Sequence, residues 1–306
     1  MSGRAPPTFS VLIGLVGTVE RERILETLAA LRAQRGAPTW ETILADRRND
    51  EVSDRIRREF PEAHLLPCEA ATPLPELRAR ALDRARGRWI VVTEDHCVPG
   101  PDWLACIASA FAEAPPGTAA VGGCVENGVR DTPFHHATFL CEYASLLPPV
   151  AEGVVGDLPG MNVAYTRTAL ASIEPHLLRE SFWETAVHQR FRDDGLRLVS
   201  RNAIVVVHSK RFNFPLFARQ RYLYSRNYAG RRFHRRARFR RFAACAGSAV
   251  LPVVLLARIV RSVRAKRDDL PLVAAMPWLA VFVLIWAWGE AVGYAFGPGN
   301  ALAQIE

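Results

Sequence analysis

Short apolar runs alternate with helix-patterned segments from residue 9 to about residue 209, and few folds accommodate that order. FSVLIGLV (9–16), ETILAD (41–46) and RWIVVT (88–93) have the length and apolar character of buried strands. Between and after them, ERERILETLAALRAQ (20–34) sets Ile24, Leu25, Leu28 and Leu31 at helical spacing. LPELRARALDRAR (74–86) and PDWLACIASAFAEA (101–114) also read as helices, the latter with Pro101 near its start. Strands that are apolar on both faces and separated by helices predict an α/β fold: a Rossmann-like, mostly parallel sheet covered on both sides. Such sheets bind ligands at the carboxyl ends of their strands.

One of those ends is unusual. TEDHCVPGPDWL (93–104) closes the run Trp89-Ile90-Val91-Val92 with Glu94, Asp95 and His96. Two carboxylates and an imidazole side by side are costly to desolvate unless something positive lies among them.

The formal charge of +8 is unevenly spread. Residues 210–241 hold twelve Lys/Arg and no acid, and residues 242–306 add five basic and four acidic groups, which leaves about −5 on residues 1–209. A basic run of this kind suits nucleic acid or an anionic membrane. Its place just before two apolar segments favours the membrane, so no nucleic-acid partner is expected. Aromatic residues from Phe212 to Phe239 are interleaved with the arginines, as in a segment lying in a headgroup layer; a solvated basic helix docked on the head is the alternative. LPLVAAMPWLAVFVLIWAWGEAVGYAFG (270–297) is long enough to span a bilayer, while AACAGSAVLPVVLLA (243–257) is marginal and either spans, re-enters or lies in plane. Six cysteines without a paired spacing read as reduced thiols, and MSGRAPPTFS lacks a signal-peptide core, so a cytoplasmic catalytic head on the inner or plasma membrane is expected. The expected division is a head over 1–209, a basic aromatic segment over 210–242, two apolar membrane helices over 243–297 and a tail over 298–306.

The order of these motifs resembles a family 2 glycosyltransferase with a GT-A fold, over residues 9 to about 230. SVLIGLV and ETILADRRND are similar to that family's nucleotide-binding start. RARALDRARGRWIVVTEDH resembles its stretch from an Arg-Asn-x-Gly helix into the DxD strand, with Ala79 and Ala81 in place of Asn and Gly. The resemblance implies donor contacts at Leu15, Asp46, Arg78, Glu94 and Asp95. It also implies a divalent cation at Glu94 and His96 that neutralises the leaving diphosphate. Oxygen ligands suit Mg²⁺ or Mn²⁺, and an imidazole tilts the choice to Mn²⁺. His208, after the strand AIVVV, matches the histidine that completes the metal shell in GT-A enzymes. LPGMNVAYTRTAL (158–170) resembles the acceptor-side segment, with Asn162 as a hydroxyl-orienting residue. ESFWETAVHQRFRDDG (180–195) resembles the helix bearing the general base. Its register puts Trp183-Glu184 on a Glu-Asp pair, so Glu184 is the implied base. His188, one turn on, either orients Glu184 or an acceptor or is structural.

The function implied is inverting, metal-assisted transfer of a hexosyl group from a nucleotide-sugar to a lipid-linked or membrane-proximal acceptor, in cell-envelope polysaccharide or glycolipid synthesis. The segment RQRYLYSRNYAGRR lacks the Gln-x-x-Arg-Trp signature of processive synthases, which favours addition of one sugar. Two other readings stay open. A nucleotidyltransferase shares strand-end acids but usually has a glycine-rich basic loop that GLVGTVERER does not provide. An inert membrane scaffold with a transferase-like head is suggested by the Glu-Asp-His sequence and by Trp183.

Overall fold

Phe9–Leu15 is buried at all seven positions and forms β1, inside a sheet whose faces are both covered. The structure is a computed structural model and describes residues 5–17, 19–233, 238–266 and 271–305. Parts of the expected basic and apolar segments, 234–237 and 267–270, lie outside the described residues, as do residues 1–4, 18 and 306. The chain divides into two compact units, residues 1–128 with 148–210 and residues 129–147 with 211–306. The helix at 133–143, which a division at residue 209 assigns to the head, thus packs with the C-terminal helices.

In the first unit β2 (Trp40–Asp46), β3 (Ala63–Pro67) and β4 (Trp89–Glu94) join β1 in the spatial order β3-β2-β1-β4, all parallel. Helices α1 (Arg23–Arg32), α2 (Glu51–Glu59) and α3 (Leu74–Arg84) connect them. Register brings Leu15 opposite Asp46 and Gly14 opposite Glu94, so three carboxyl ends share one edge.

Beyond β4 the sheet is mixed rather than mostly parallel. β5 (Cys97–Pro99), α4 (Trp103–Glu113) and β6 (Thr118–Asn127) follow, then β7 (Gly153–Val155) and β8 (Val163–Thr166). β8 lies antiparallel between β4 and β6. It is entered from a loop, not a crossover helix, so nothing obliges it to run parallel. The last strand, β9 (Arg197–His208), is parallel to β6 and antiparallel to β5 and β7. Its pairing sets Cys97 opposite His208.

The second unit contains α5 (Pro133–Tyr143). After α6 (Arg167–Ala171), α7 (Pro175–Ser181) and α8 (Glu184–Asp193) of the first unit, it resumes with α9 (Phe214–Phe233), α10 (Arg238–Gly247), α11 (Leu251–Lys266) and α12 (Leu272–Phe296). α12 packs against α5, α9, α10 and α11. A Cβ at Gly289 or Gly293 would stand 2.6 or 2.5 Å from the carbonyl oxygens of Tyr222 or Arg226, so these two glycines let α9 approach closely. α12 has a mean hydropathy of 2.0 over its most apolar window, and its 25 residues give about 38 Å, enough to cross a hydrocarbon core. α10 and α11 are bent by 54° at their junction, so the stretch 243–257 is not one straight helix. Glu290 is buried on α12, where its carboxylate accepts from the Trp286 indole at 2.9 Å and the Tyr294 hydroxyl at 2.7 Å. Both partners sit one turn away, so the acid is satisfied by its own helix.

Candidate active site

β4 ends at Glu94 and β5 begins at Cys97, leaving Asp95 and His96 in the tight turn between them. Because Cys97 pairs with His208, that turn folds against the end of β9. Three ligand atoms converge there: those of Glu94, His96 and His208 all lie within 4.8 Å of one another. His96 Nε2 is 3.2 Å from Glu94 Oε2 and 3.1 Å from His208 Nε2.

Asp95 fixes how His96 presents itself. Its Oδ1 accepts from His96 Nδ1 at 2.8 Å, which leaves the Nε2 lone pair of the neutral ring aimed at the shared point. A carboxylate behind a ligating histidine is the usual outer support of a metal site. Burial, with the charge of His96 adding to it, pushes His208 well below the ordinary histidine range and keeps it a neutral ligand. Burial also disfavours charge on His96, but when the ring is protonated Nδ1 and Nε2 donate to Asp95 and Glu94, which outweighs burial and raises its pKa; a cation at the shared point would take the place of the Nε2 proton. For Glu94, burial opposes ionisation, yet the hydrogen bond from His96 and the charges of His96, Arg78 and His208 lower its pKa to about 2. One ionised oxygen ligand and two imidazoles fit a divalent cation of borderline softness.

Arg78 joins this corner to the next. Buried on α3, it donates from Nη2 to Glu94 Oε1 at 3.3 Å and from Nη1 to the Phe182 carbonyl at 3.2 Å. Its guanidinium also lies 5.5 Å from the Trp183 ring. Phe182 and Trp183 immediately precede α8, so one arginine spans from Glu94 to the helix that carries Glu184. Glu184 itself opens α8 with its carboxylate against Gly160. Burial raises its pKa above the ordinary carboxylate value, and the Arg78 and His188 charges pull the other way.

The loop before β8 is fastened to one face of α8 at three points spaced by four residues. Arg192 donates to the Gly156 carbonyl, His188 Nδ1 pairs with Asp157, and Glu184 covers Gly160. His188 is wholly buried, and its Nε2 faces the Tyr165 hydroxyl at 3.0 Å. It is therefore placed behind the site and not towards an acceptor.

Three other expected contacts also turn inward. Asn162 is buried with every polar atom used: Oδ1 accepts from the Trp103 indole at 2.8 Å, and Nδ2 donates to the carbonyls of Cys124 and Ile204. It ties α4 to two strands and has no amide left for an acceptor hydroxyl. Leu15 is sealed in the core. Asp46, also sealed, accepts from the backbone of Arg48 and Asn49 and from Ser53 Oγ, so it shapes the loop after β2 instead of facing a ligand. Glu94, Asp95, His96, His208, Arg78 and Glu184 are brought together. Arg48 is the residue that sequence reasoning passed over. It sits in the loop after β2, at a strand end where the α/β rule already directs attention.

A mannosyltransferase from Pyrobaculum calidifontis, PcManGT, in complex with GDP-Man and Mn²⁺, is similar in fold with a TM-score of 0.58 at 17% identity, covering 95% of this chain and 88% of its own. GalNAc-T7 with UDP, GalNAc and Mn²⁺ is similar with a TM-score of 0.50 at 14% identity, over 68% of this chain and 45% of that one. No curated protein matches the sequence significantly. The sequence profile of Glycosyl transferase family 2 matches residues 18–173, about half of the chain, and takes in the β4 end and the loop before β8. The fold is GT-A, and the chain belongs to glycosyl transferase family 2.

Proposed function

We propose that the protein transfers a single hexosyl group from a nucleotide-sugar, with inversion, to a hydroxyl of a membrane-proximal or lipid-linked acceptor. The observation that carries this reading is the bridge made by Arg78, which holds Glu94 of the cation corner and the start of the Glu184 helix in one buried arrangement. Mn²⁺ and a nucleotide-sugar in the structure of PcManGT support the same kind of donor here.

Glu94, His96 and His208 would hold the cation, Mn²⁺ by ligand type or Mg²⁺, with Asp95 fixing the His96 tautomer. When bound, the cation stabilises the negative charge that develops on the departing nucleoside diphosphate. Glu184 takes the proton of the acceptor hydroxyl as its oxygen bonds to the anomeric carbon. The bond from that carbon to the diphosphate oxygen breaks with its electron pair, so no covalent enzyme adduct is needed. Gly160 gives the Glu184 carboxylate the room it occupies.

The second unit supports membrane attachment with the head on the cytoplasmic side. Its exposed residues include Phe242, Val253, Val273, Leu284, Trp288 and Phe296, with Trp288 66% exposed. Arg240 precedes Phe242, and Arg258, Arg261 and Arg264 follow Val253 on α11, all four arginines exposed. Apolar side chains flanked by arginines suit an anionic leaflet.

The test is a panel of UDP-, GDP- and TDP-sugars incubated with the full-length protein, with Mn²⁺ or with chelator. Metal-dependent sugar release or transfer supports the reading. A protein that binds nucleoside diphosphate with metal yet turns over no donor would instead be an inert scaffold.

A further inference from the structure

Helices α9 and α12 run side by side in the same direction. Phe217 packs on Phe282 with ring centroids 4.5 Å apart, and a Cβ at Gly230 would meet Pro298 just past the end of α12. Between these points lie the close approaches of Gly289 to Tyr222 and of Gly293 to Arg226. The Arg221 guanidinium stands 4.1 Å from the centroid of the Trp286 ring and donates to Glu142 of α5 at 2.9 Å. Residue 284 is the midpoint of α12. An ion pair therefore lies level with the middle of the one described helix that is long and apolar enough to cross a bilayer.

That level decides the orientation. If α12 crossed a membrane, α9 would cross with it, carrying Arg219, Gln220, Arg221, Arg226 and Asn227 into the hydrocarbon. Arg221 has its carboxylate partner, but Arg219 is exposed and donates to the neutral side chain of Gln304 at 2.8 Å. Spanning helices avoid an exposed arginine near the mid-plane. With α12 in the plane of the membrane the conflict disappears, because α9 then lies on the side away from the lipid.

Exposure along the helices fits that orientation. Val273, Pro277, Val281, Leu284, Trp288 and Ala295 are exposed, and at 3.6 residues per turn they share one narrow face of α12. Leu279, Phe282, Ala287, Glu290 and Gly293 form the buried face. The apolar character of α12 thus serves two surfaces, one inside the second unit and one outside it. On α11 the exposed side chains change along the helix from Val253 and Val254 to Arg258, Arg261 and Arg264. An apolar face bordered by cations is the pattern of a helix lying in the headgroup layer of an anionic leaflet.

We propose that the second unit is monotopic: α10, α11 and α12 lie in the plane of the cytoplasmic leaflet, and none of them crosses the bilayer. This rests on the membrane attachment proposed above and goes beyond it, since both ends of α12 stay on one side of the membrane.

The experiment labels single cysteines of the full-length protein with a membrane-impermeant maleimide, in sealed inverted vesicles whose cytoplasmic face points outward. Ala265→Cys lies ahead of α12 in the chain and Asn300→Cys beyond its end, both at exposed positions, in a background with the half-buried Cys106 and Cys245 changed to Ser. Both sites are expected to react to the same extent with and without detergent. A site that reacts only after detergent is added, at either position, overturns the proposal. Arg264→Cys and Ala303→Cys, also exposed, replace any variant that does not reach the membrane folded. Full-length protein found only in the soluble fraction would sink membrane attachment and this inference together, and would leave the transferase reading standing.

Discussion

The Glu184 carboxyl group rests on the α-carbon of Gly160, so closely that a Cβ at residue 160 would stand 2.7 Å from its carboxyl carbon. Gly160→Ala should therefore push the proposed base off its position while leaving the cation corner alone. Transfer should fall by about 10²-fold, within the range that a positioned base contributes. Donor affinity should hold, so calorimetry with nucleoside diphosphate and turnover at saturating donor together check it. Equal losses in both would mean that the loop before β8 belongs to the donor site.

Glu184→Gln should lower turnover about 10²- to 10⁴-fold with nucleotide binding intact. The wild-type pH profile adds a second measurement. Burial lifts the Glu184 pKa above its ordinary value of 4.5, and a base works only when ionised. Turnover should thus rise with pH through a limb above 4.5, and that limb should vanish in the Gln variant.

Asp95→Asn should weaken Mn²⁺ binding by about 10- to 100-fold, the usual cost of losing an outer-sphere partner of a ligating histidine. The amide can accept from His96 Nδ1 but no longer polarises the ring. His96→Ala and His208→Ala should weaken it further, and titrations followed by Mn²⁺ electron paramagnetic resonance would rank the three.

Arg78→Met should destabilise the fold, because Glu94 keeps its charge in a partly buried site and loses its guanidinium partner. Breaking a buried pair by removing one member costs about 3–5 kcal/mol. The loss in urea midpoint should shrink in saturating Mn²⁺, when a cation stands beside Glu94 instead.

Membrane attachment predicts that the full-length protein co-sediments with vesicles containing anionic lipid and is released by Phe242→Glu with Trp288→Glu. Retention of the double variant on vesicles would move the contact to another face.

Much of the first unit was legible in the sequence because burial on both faces writes a parallel strand as an unbroken apolar run, as in β1 and β2. The cation corner was legible for a related reason: Glu94, Asp95 and His96 are adjacent in the chain, and His208 ends a β-branched strand. β6 was missed, since TAAVGGCVEN is diluted with glycine and alanine. The inward turn of Asn162 and Asp46 could not be read locally. Asn162 meets Trp103, Cys124 and Ile204, partners 38 to 59 residues away along the chain. Arg48 has the opposite character: its composition looks like surface, and only burial shows that it is not.

The interleaving of the two units has a consequence for synthesis. The chain leaves the sheet at Gly128, makes α5, and returns at Pro148, long before α9 and α12 exist. At the 5–20 residues per second of translation, α5 waits on the order of ten seconds for its helical partners to emerge. Its buried residues, among them Phe139, Leu140 and Cys141, are exposed to the ribosome exit environment for that interval. A C-terminal truncation would make the wait permanent, so fragments ending near residue 210 should aggregate unless residues 129–147 are replaced by a short polar loop.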